Sequence, residues 1–148
     1  MPRPFRFDRS WHFDATADEL WDAMADTNAY PAIFSWLRDF RAGPLEAGTV
    51  ATFRVQPPLP YSLHLTVTVV EVEDRRLVRT RVDGDVRGEA DLAVASSGDR
   101  STARLRWDLD LVRPSLARVE PLARRPMIWG HDIVVAMGVR QFRRKVVA

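Results

Sequence analysis

His131 is the residue of this chain best suited to moving a proton near neutral pH, because an imidazole can both accept and donate one there. The segment around it, MIWGHDIVVAMGVRQFRRKVV, contains no proline and carries apolar residues at helical spacing. At about 100° per residue, Met127, Val135, Gly138 and Phe142 fall within about 40° of His131 on a helical projection, so the histidine sits within an apolar face. Two roles fit that position: an acid/base group turned toward a ligand, or a core histidine satisfied by a backbone carbonyl, Asp85 or Tyr61. Asp132 cannot share the same direction, and capping or a surface ion pair suits it better. Tyr61 could orient a carbonyl through its hydroxyl, and Trp36 or Trp107 could stack on a flat ring; simple packing would use the same side chains. Asp83, Asp85 and Glu89 surround a glycine-containing turn, where one of them could act as a base or serve turn geometry alone.

Other chemistries find little support. With no cysteine there are no disulfides, thiolate nucleophiles or thiolate-bound metals. The three histidines, His12, His64 and His131, are too scattered to suggest a metal site. Neither a glycine-rich phosphate loop after a strand nor a G-x-S-x-G elbow occurs. No cofactor and no metal are therefore expected.

Positioning these residues requires a sheet and a covering helix. Arg9 to Asp14 reads as a first strand, and Thr16 with Glu19 forms a capping-box pattern that opens a helix with Leu20, Trp21 and Met24 on its inner face, ending near Asn28. Pro31 suits the first turn of a second short helix within the aromatic cluster Tyr30 to Leu37, which could line a ligand entrance or lock the helix pair onto the sheet. Strands are expected over Arg38 to Ala42, Thr49 to Val55, Tyr61 to Glu73, Arg76 to Val82, Val86 to Ala95 and Thr102 to Val112. In the long third of these, Leu63, Leu65, Val67 and Val69 form one face and His64, Thr66, Thr68, Val70 and Val72 the other. Gly88 and Ala90 thin one face, which either leaves room for a cavity or marks a bend or bulge. A meander of this length curls under its own twist, and the terminal helix is the natural cover for its concave side.

The 148 residues suit one domain, and 46% hydrophobic with 28% charged residues indicates a folded, soluble chain. No apolar run is long enough to cross a bilayer and the start lacks an apolar signal region, so cytoplasmic residence is expected. The net charge of +2 conceals an acidic first half and a basic second half. Because Arg75, Arg79, Arg81, Arg87, Arg104 and Arg106 mostly alternate with apolar residues, a solvated outer face is preferred to a nucleic-acid surface.

Three stretches carry a family resemblance across nearly the whole chain: WHFDATADELWDAMADTNAYPAIFSWL, the middle from Pro57 to Val94, and RWDLDLVRPSLARVEPLARRPMIWGHDIVVAMGVRQF. Pro60-Tyr61, Gly84-Asp85-Val86-Arg87-Gly88 and the Trp129, His131, Asp132 arrangement resemble patterns of the START-like (SRPBCC) superfamily, in its polyketide cyclase/dehydrase and lipid-transport branch. Gly130 departs from the asparagine often found before that histidine. The resemblance implies a single α+β helix-grip domain over 1–148: two short helices after the first strand, and a curved antiparallel sheet of about seven strands around a long C-terminal helix. It also implies an internal cavity for a hydrophobic small molecule such as a lipid, an aromatic or a polyketide-like compound. Phe34, Trp36, Phe53, Tyr61, Leu65, Ala90, Trp107, Met127, His131, Val135 and Gly138 are the expected ligand contacts. His131, Tyr61 and Asp85 are the candidate catalytic groups if the protein is instead a cyclase-like enzyme. A third reading is an accessory domain that uses the basic end at Arg140, Arg143, Arg144 and Lys145 against a protein or membrane. No nucleic-acid partner, no transmembrane segment and a monomer or homodimer complete the expectation.

Overall fold

The computed structural model describes residues 5–56, 62–111 and 133–144. Strand β1 (Phe5–Phe13) leads into helix α1 (Ala17–Ala25), a 3-10 turn (Thr27–Ala29) and the short helix α2 (Tyr30–Ile33). Then follow β2 (Leu37–Arg41), β3 (Val50–Val55), β4 (Leu63–Glu73), β5 (Leu77–Gly84), β6 (Val86–Ser97) and β7 (Arg100–Leu111), with helix α3 over 133–144. All strand pairs are antiparallel in the order β1-β7-β6-β5-β4-β3-β2, so the first strand closes one edge by pairing with the last. This is the expected α+β helix-grip architecture.

Local chemistry accounts for the entry into α1. The Thr16 side chain accepts from the Glu19 amide at 3.1 Å and the Glu19 carboxylate accepts from the Thr16 amide at 3.1 Å. That amide holds the Glu19 carboxyl below its ordinary value. The helix ends at Ala25, earlier than the expected Asn28, because Asp26 leaves helical geometry at ψ 71°. Leu20, Trp21 and Met24 then pack against Phe13, Val69, Val78, Val94 and Ala103 of the sheet. Fully burying side chains of this size contributes about 1.5–3 kcal/mol each.

Two strands change phase. In β4 the pairing with β5 shifts between Val69 and Glu71; Val70 is 56% exposed while Val72 packs against the core. Val72 therefore lies inward, where uninterrupted alternation placed it on the face opposite Val69. In β2 the register shifts between Arg38 and Arg41, and Asp39 adopts φ 53°. Aspartate tolerates that left-handed conformation better than most side chains do. As a result Leu37 and Phe40, three positions apart, both turn inward.

Gly88 is explained by close approach. A Cβ built there would lie 1.9 Å from the Asp108 carbonyl oxygen of β7, at φ 154°.

The outer face carries the charge. Following the strand pairing, Asp8, Arg106, Asp91, Arg79 and Glu71 form a row of alternating sign across β1, β7, β6, β5 and β4. The six arginines of the second half singled out by the sequence are all exposed, and each has a carboxylate within 4 Å: Asp18 for Arg75, Glu71 for Arg79, Asp83 for Arg81 and Arg87, and Asp8 for Arg104 and Arg106. The hydrogen bond from Arg104 holds the Asp8 carboxyl below its usual range.

Helix α3 is fastened to both ends of the opening segment. Arg143 donates to the His12 carbonyl at 2.5 Å and its guanidinium lies 4.6 Å from the centre of the Phe13 ring. Gln141 donates to the Ser35 hydroxyl at 2.9 Å.

Candidate ligand cavity

The aromatic cluster of residues 30–40 builds one wall of a cavity. Tyr30 packs edge-on against Phe34 at 5.5 Å and lies 5.6 Å from Phe40, which in turn lies 6.0 Å from Phe53 on β3. Phe34 continues the chain to Trp36 at 5.0 Å and to Phe142 of α3 at 6.5 Å. Behind these rings is a cavity of about 240 Å³. Leu37, Leu45, Ala51, Val67 and Val69 supply its aliphatic lining, and Thr27, Thr49 and Thr80 its hydroxyls.

The polar atoms of this lining are nearly all engaged. Thr27 donates to the Gly43 carbonyl at 3.0 Å, Thr49 to that of Pro44 at 2.7 Å and Thr80 to that of Ala90 at 2.7 Å. The Tyr30 hydroxyl donates to the Met24 carbonyl. Burial, with a smaller contribution from the Asp26 charge, pushes the Tyr30 phenol up to about 12, so it stays protonated throughout the neutral range. Trp36 differs: its Nε1 is buried and has no hydrogen-bond partner among the described residues.

The structure brings together only some of the residues expected from sequence. Phe34, Trp36 and Phe53 line this cavity. Gly138 borders it indirectly, since a Cβ there would meet the Trp36 indole at 3.4–3.7 Å. Val135 lies on α3, partly buried and outside this lining. Leu65 and Ala90 pack with Val82 and Val86 in a second cluster, and Trp107 stacks on Phe7 at 4.4 Å. The Asp85 carboxylate accepts from the His64 amide at 2.7 Å, while its own amide donates to the His64 carbonyl at 2.9 Å, which ties the start of β6 to β4. His131, Tyr61 and Met127 lie outside the described residues. Tyr30 belongs to the aromatic cluster that could line a ligand entrance but not to the named contacts, and Phe40 belongs to neither; the density of aromatic residues between positions 30 and 40 was the available signal for Phe40.

Among the described residues no three histidine or acidic side chains converge on a metal-binding point, and no helix is long and apolar enough to cross a membrane.

The family model for polyketide cyclase/dehydrase and lipid transport matches residues 4–144. The chain belongs to this family. It is accordingly a member of the START-like (SRPBCC) superfamily, with the generic cavity of that fold, suited to a hydrophobic small molecule. None of the curated proteins compared with it by sequence matches. Among solved structures, the protein TTHA0849 from Thermus thermophilus is similar with a TM-score of 0.80, at 13% identity over 97% of each chain. Zhui aromatase/cyclase from a Streptomyces species gives a TM-score of 0.72 at 15% identity, over 97% of this chain and 93% of the other. Norcoclaurine synthase from Thalictrum flavum, solved with dopamine and hydroxybenzaldehyde, gives 0.66 at 14% identity, over 99% of this chain and 88% of the other. At these identities the likeness is one of fold.

Proposed function

We propose that this protein binds or carries a hydrophobic small molecule, of lipid, aromatic or polyketide-like character, without transforming it. The observation that carries this reading is the cavity of about 240 Å³, walled by aromatic and aliphatic side chains, in which every hydroxyl hydrogen among the described lining residues is committed to a backbone carbonyl. Such a lining favours transfer of apolar surface from water and offers little to a polar ligand. Tyr30, its one ionisable side chain among the described residues, is held protonated far above neutral pH and is a poor general base there.

Native mass spectrometry of protein purified from its own host tests the reading, with a retained small molecule as the expected result. A second arm titrates a fluorescent arylnaphthylamine into the purified protein and into Ala51→Phe, whose added ring occupies the cavity. Saturable binding that the substitution removes supports the reading. Binding that Ala51→Phe leaves unchanged, with no small molecule retained from the host, sinks it.

The family description favours one alternative, a cyclase-like enzyme with His131 as proton-transfer group. That alternative predicts turnover of an identified substrate which His131→Ala abolishes; an unchanged rate in a folded variant rules out His131.

A further inference from the structure

The outer face of the sheet is not uniform in charge. Across its middle and its β1 edge, the six arginines of the second half each have a carboxylate within 4 Å. At the β2 edge that pattern stops. Arg38 and Arg41 of β2 are exposed, and among the described residues neither has a carboxylate within 4 Å. Arg54 of β3 meets only Asp39, 3.3 Å from its Nε, without the alignment of a hydrogen bond.

Strand pairing sets these cations side by side. Arg38 lies directly opposite Arg54, and Arg54 lies opposite His64 of β4. Two residues along, Arg41 lies opposite Thr52 and Thr52 opposite Thr66. Neighbouring strands are about 5 Å apart and alternate residues about 7 Å apart along a strand, so these side chains share one small patch. Arg41, Thr52, Arg54, His64 and Thr66 line an open groove of about 450 Å³, with Asp39 the one carboxylate in that lining. The two hydroxyls and the His64 ring have no hydrogen-bond partner among the described residues.

Like charges directly opposite one another weaken a strand pair. A sheet that neutralises its other outer arginines so regularly breaks its own rule here, as proteins do where function requires it. We propose that this groove is a binding site for a phosphate monoester, held by the Arg41 and Arg54 guanidinium groups with the His64 imidazole and the Thr52 and Thr66 hydroxyls donating beside them. Arg38, Arg41 and Arg54 against Asp39 leave two positive charges with His64 neutral, which matches a dianion. A carboxylate would leave one of them unmet. Three terminal phosphoryl oxygens can also engage two guanidinium forks and two hydroxyls, where a planar carboxylate offers two oxygens.

The site is separate from the apolar cavity although one strand serves both. Along β3, Ala51 and Phe53 line the cavity while Thr52 and Arg54 line the groove on the other face. The proposal therefore stands or falls independently of the hydrophobe-binding reading. A soluble phosphate ester and the headgroup of a phosphatidic acid surface present the same group, and the experiment separates them.

The ¹⁵N-labelled protein is titrated with glycerol phosphate and, at the same ionic strength, with acetate, while NMR follows the arginine Nε–H and β2 to β4 amide resonances. In parallel, the protein is sedimented with phosphatidylcholine vesicles with and without phosphatidic acid. Saturable shifts at Arg41, Thr52, Arg54 and His64 are expected with glycerol phosphate and not with acetate. Arg41→Gln and Arg54→Gln are each expected to weaken binding by about tenfold, the loss of a charge-assisted hydrogen bond. Arg41 is exposed and has no partner among the described residues, so its variant keeps the test open should Arg54→Gln not fold. Glycerol phosphate binding without vesicle binding identifies a soluble ester as the source; binding to phosphatidic acid vesicles that both variants lose identifies the headgroup. An equal response to acetate, binding that neither substitution weakens, or no binding in either arm overturns the proposal.

Discussion

Gly88→Ala adds a single methyl group and should seriously damage this fold. The added methyl would sit 1.9 Å from the Asp108 carbonyl oxygen, and 3.1 Å from the Leu109 Cα. Ordinary carbon–oxygen contact lies above 3 Å, so β6 and β7 would have to separate by more than about 1 Å at this rung. β6 cannot yield cheaply, because Gly88 pairs with Leu109 of β7 on one side and with Val82 of β5 on the other. Forcing an alanine into this φ costs about 1–3 kcal/mol, and each ladder hydrogen bond lost adds about 1 kcal/mol. The total is on the order of 3–5 kcal/mol, against the 5–15 kcal/mol that usually holds a domain together. For a chain of this size that corresponds to a fall in Tm of roughly 8–15 °C. Differential scanning calorimetry of the two proteins measures it directly. A Tm within 2 °C of the parent would refute the assignment of Gly88 to strand approach.

Three further outcomes follow from the same geometry. Leu20→Ala, at a side chain with 0% exposure, should destabilise by about 3 kcal/mol in urea unfolding; a loss below about 1 kcal/mol would mean the α1–sheet core collapses around the gap. Gly138→Ala places a methyl in ordinary contact with the Trp36 indole at 3.4–3.7 Å and removes a helix-interior glycine, so the urea midpoint should rise by an amount equivalent to about 0.5–1 kcal/mol; a lower midpoint would show that the indole cannot give way. The Tyr30 phenol has its folded pKa raised from 10.0 to about 12, so the stability this provides is complete below about pH 10 and is lost as pH rises toward 12, amounting to roughly 2–3 kcal/mol. Difference absorbance of tyrosinate during an alkaline titration should show one of the 2 tyrosines resisting ionisation in parallel with the fold, and Tyr30→Phe should lose that late step.

Much of the architecture could be read from the chain because local rules were obeyed. Thr16 and Glu19 announce α1 through a reciprocal pair of hydrogen bonds that needs only three residues of spacing. Alternation along β7 is unbroken, so Ala103 is buried and Arg104 and Arg106 are exposed as expected. The site was less legible, for two physical reasons. Strand phase slips at Asp39 and at Val70, and a bulge announces itself only through the pairing of two strands; strict alternation from Leu37 sends Phe40 outward, yet it faces the cavity. The Trp36 indole packs beside Gly138, about a hundred positions away, and the lining hydroxyls turn to backbone carbonyls rather than into the cavity. Residue type alone carries no trace of such an arrangement.

The pairing of β1 with β7 has a consequence for the order of events during synthesis. Phe5 meets Leu109 and Phe13 meets Ser101, so β1 leaves the ribosome well before its hydrogen-bonding neighbour β7 has been made. At ordinary translation rates that interval is on the order of 5–20 s. Throughout it Phe7, Trp11 and Phe13 have no sheet to cover them, and the nascent edge is open to wrong pairing. Arg143, which grips the His12 carbonyl, emerges later still. β1 is therefore the segment a chaperone would be expected to hold, and closure of the sheet at this edge waits for β7.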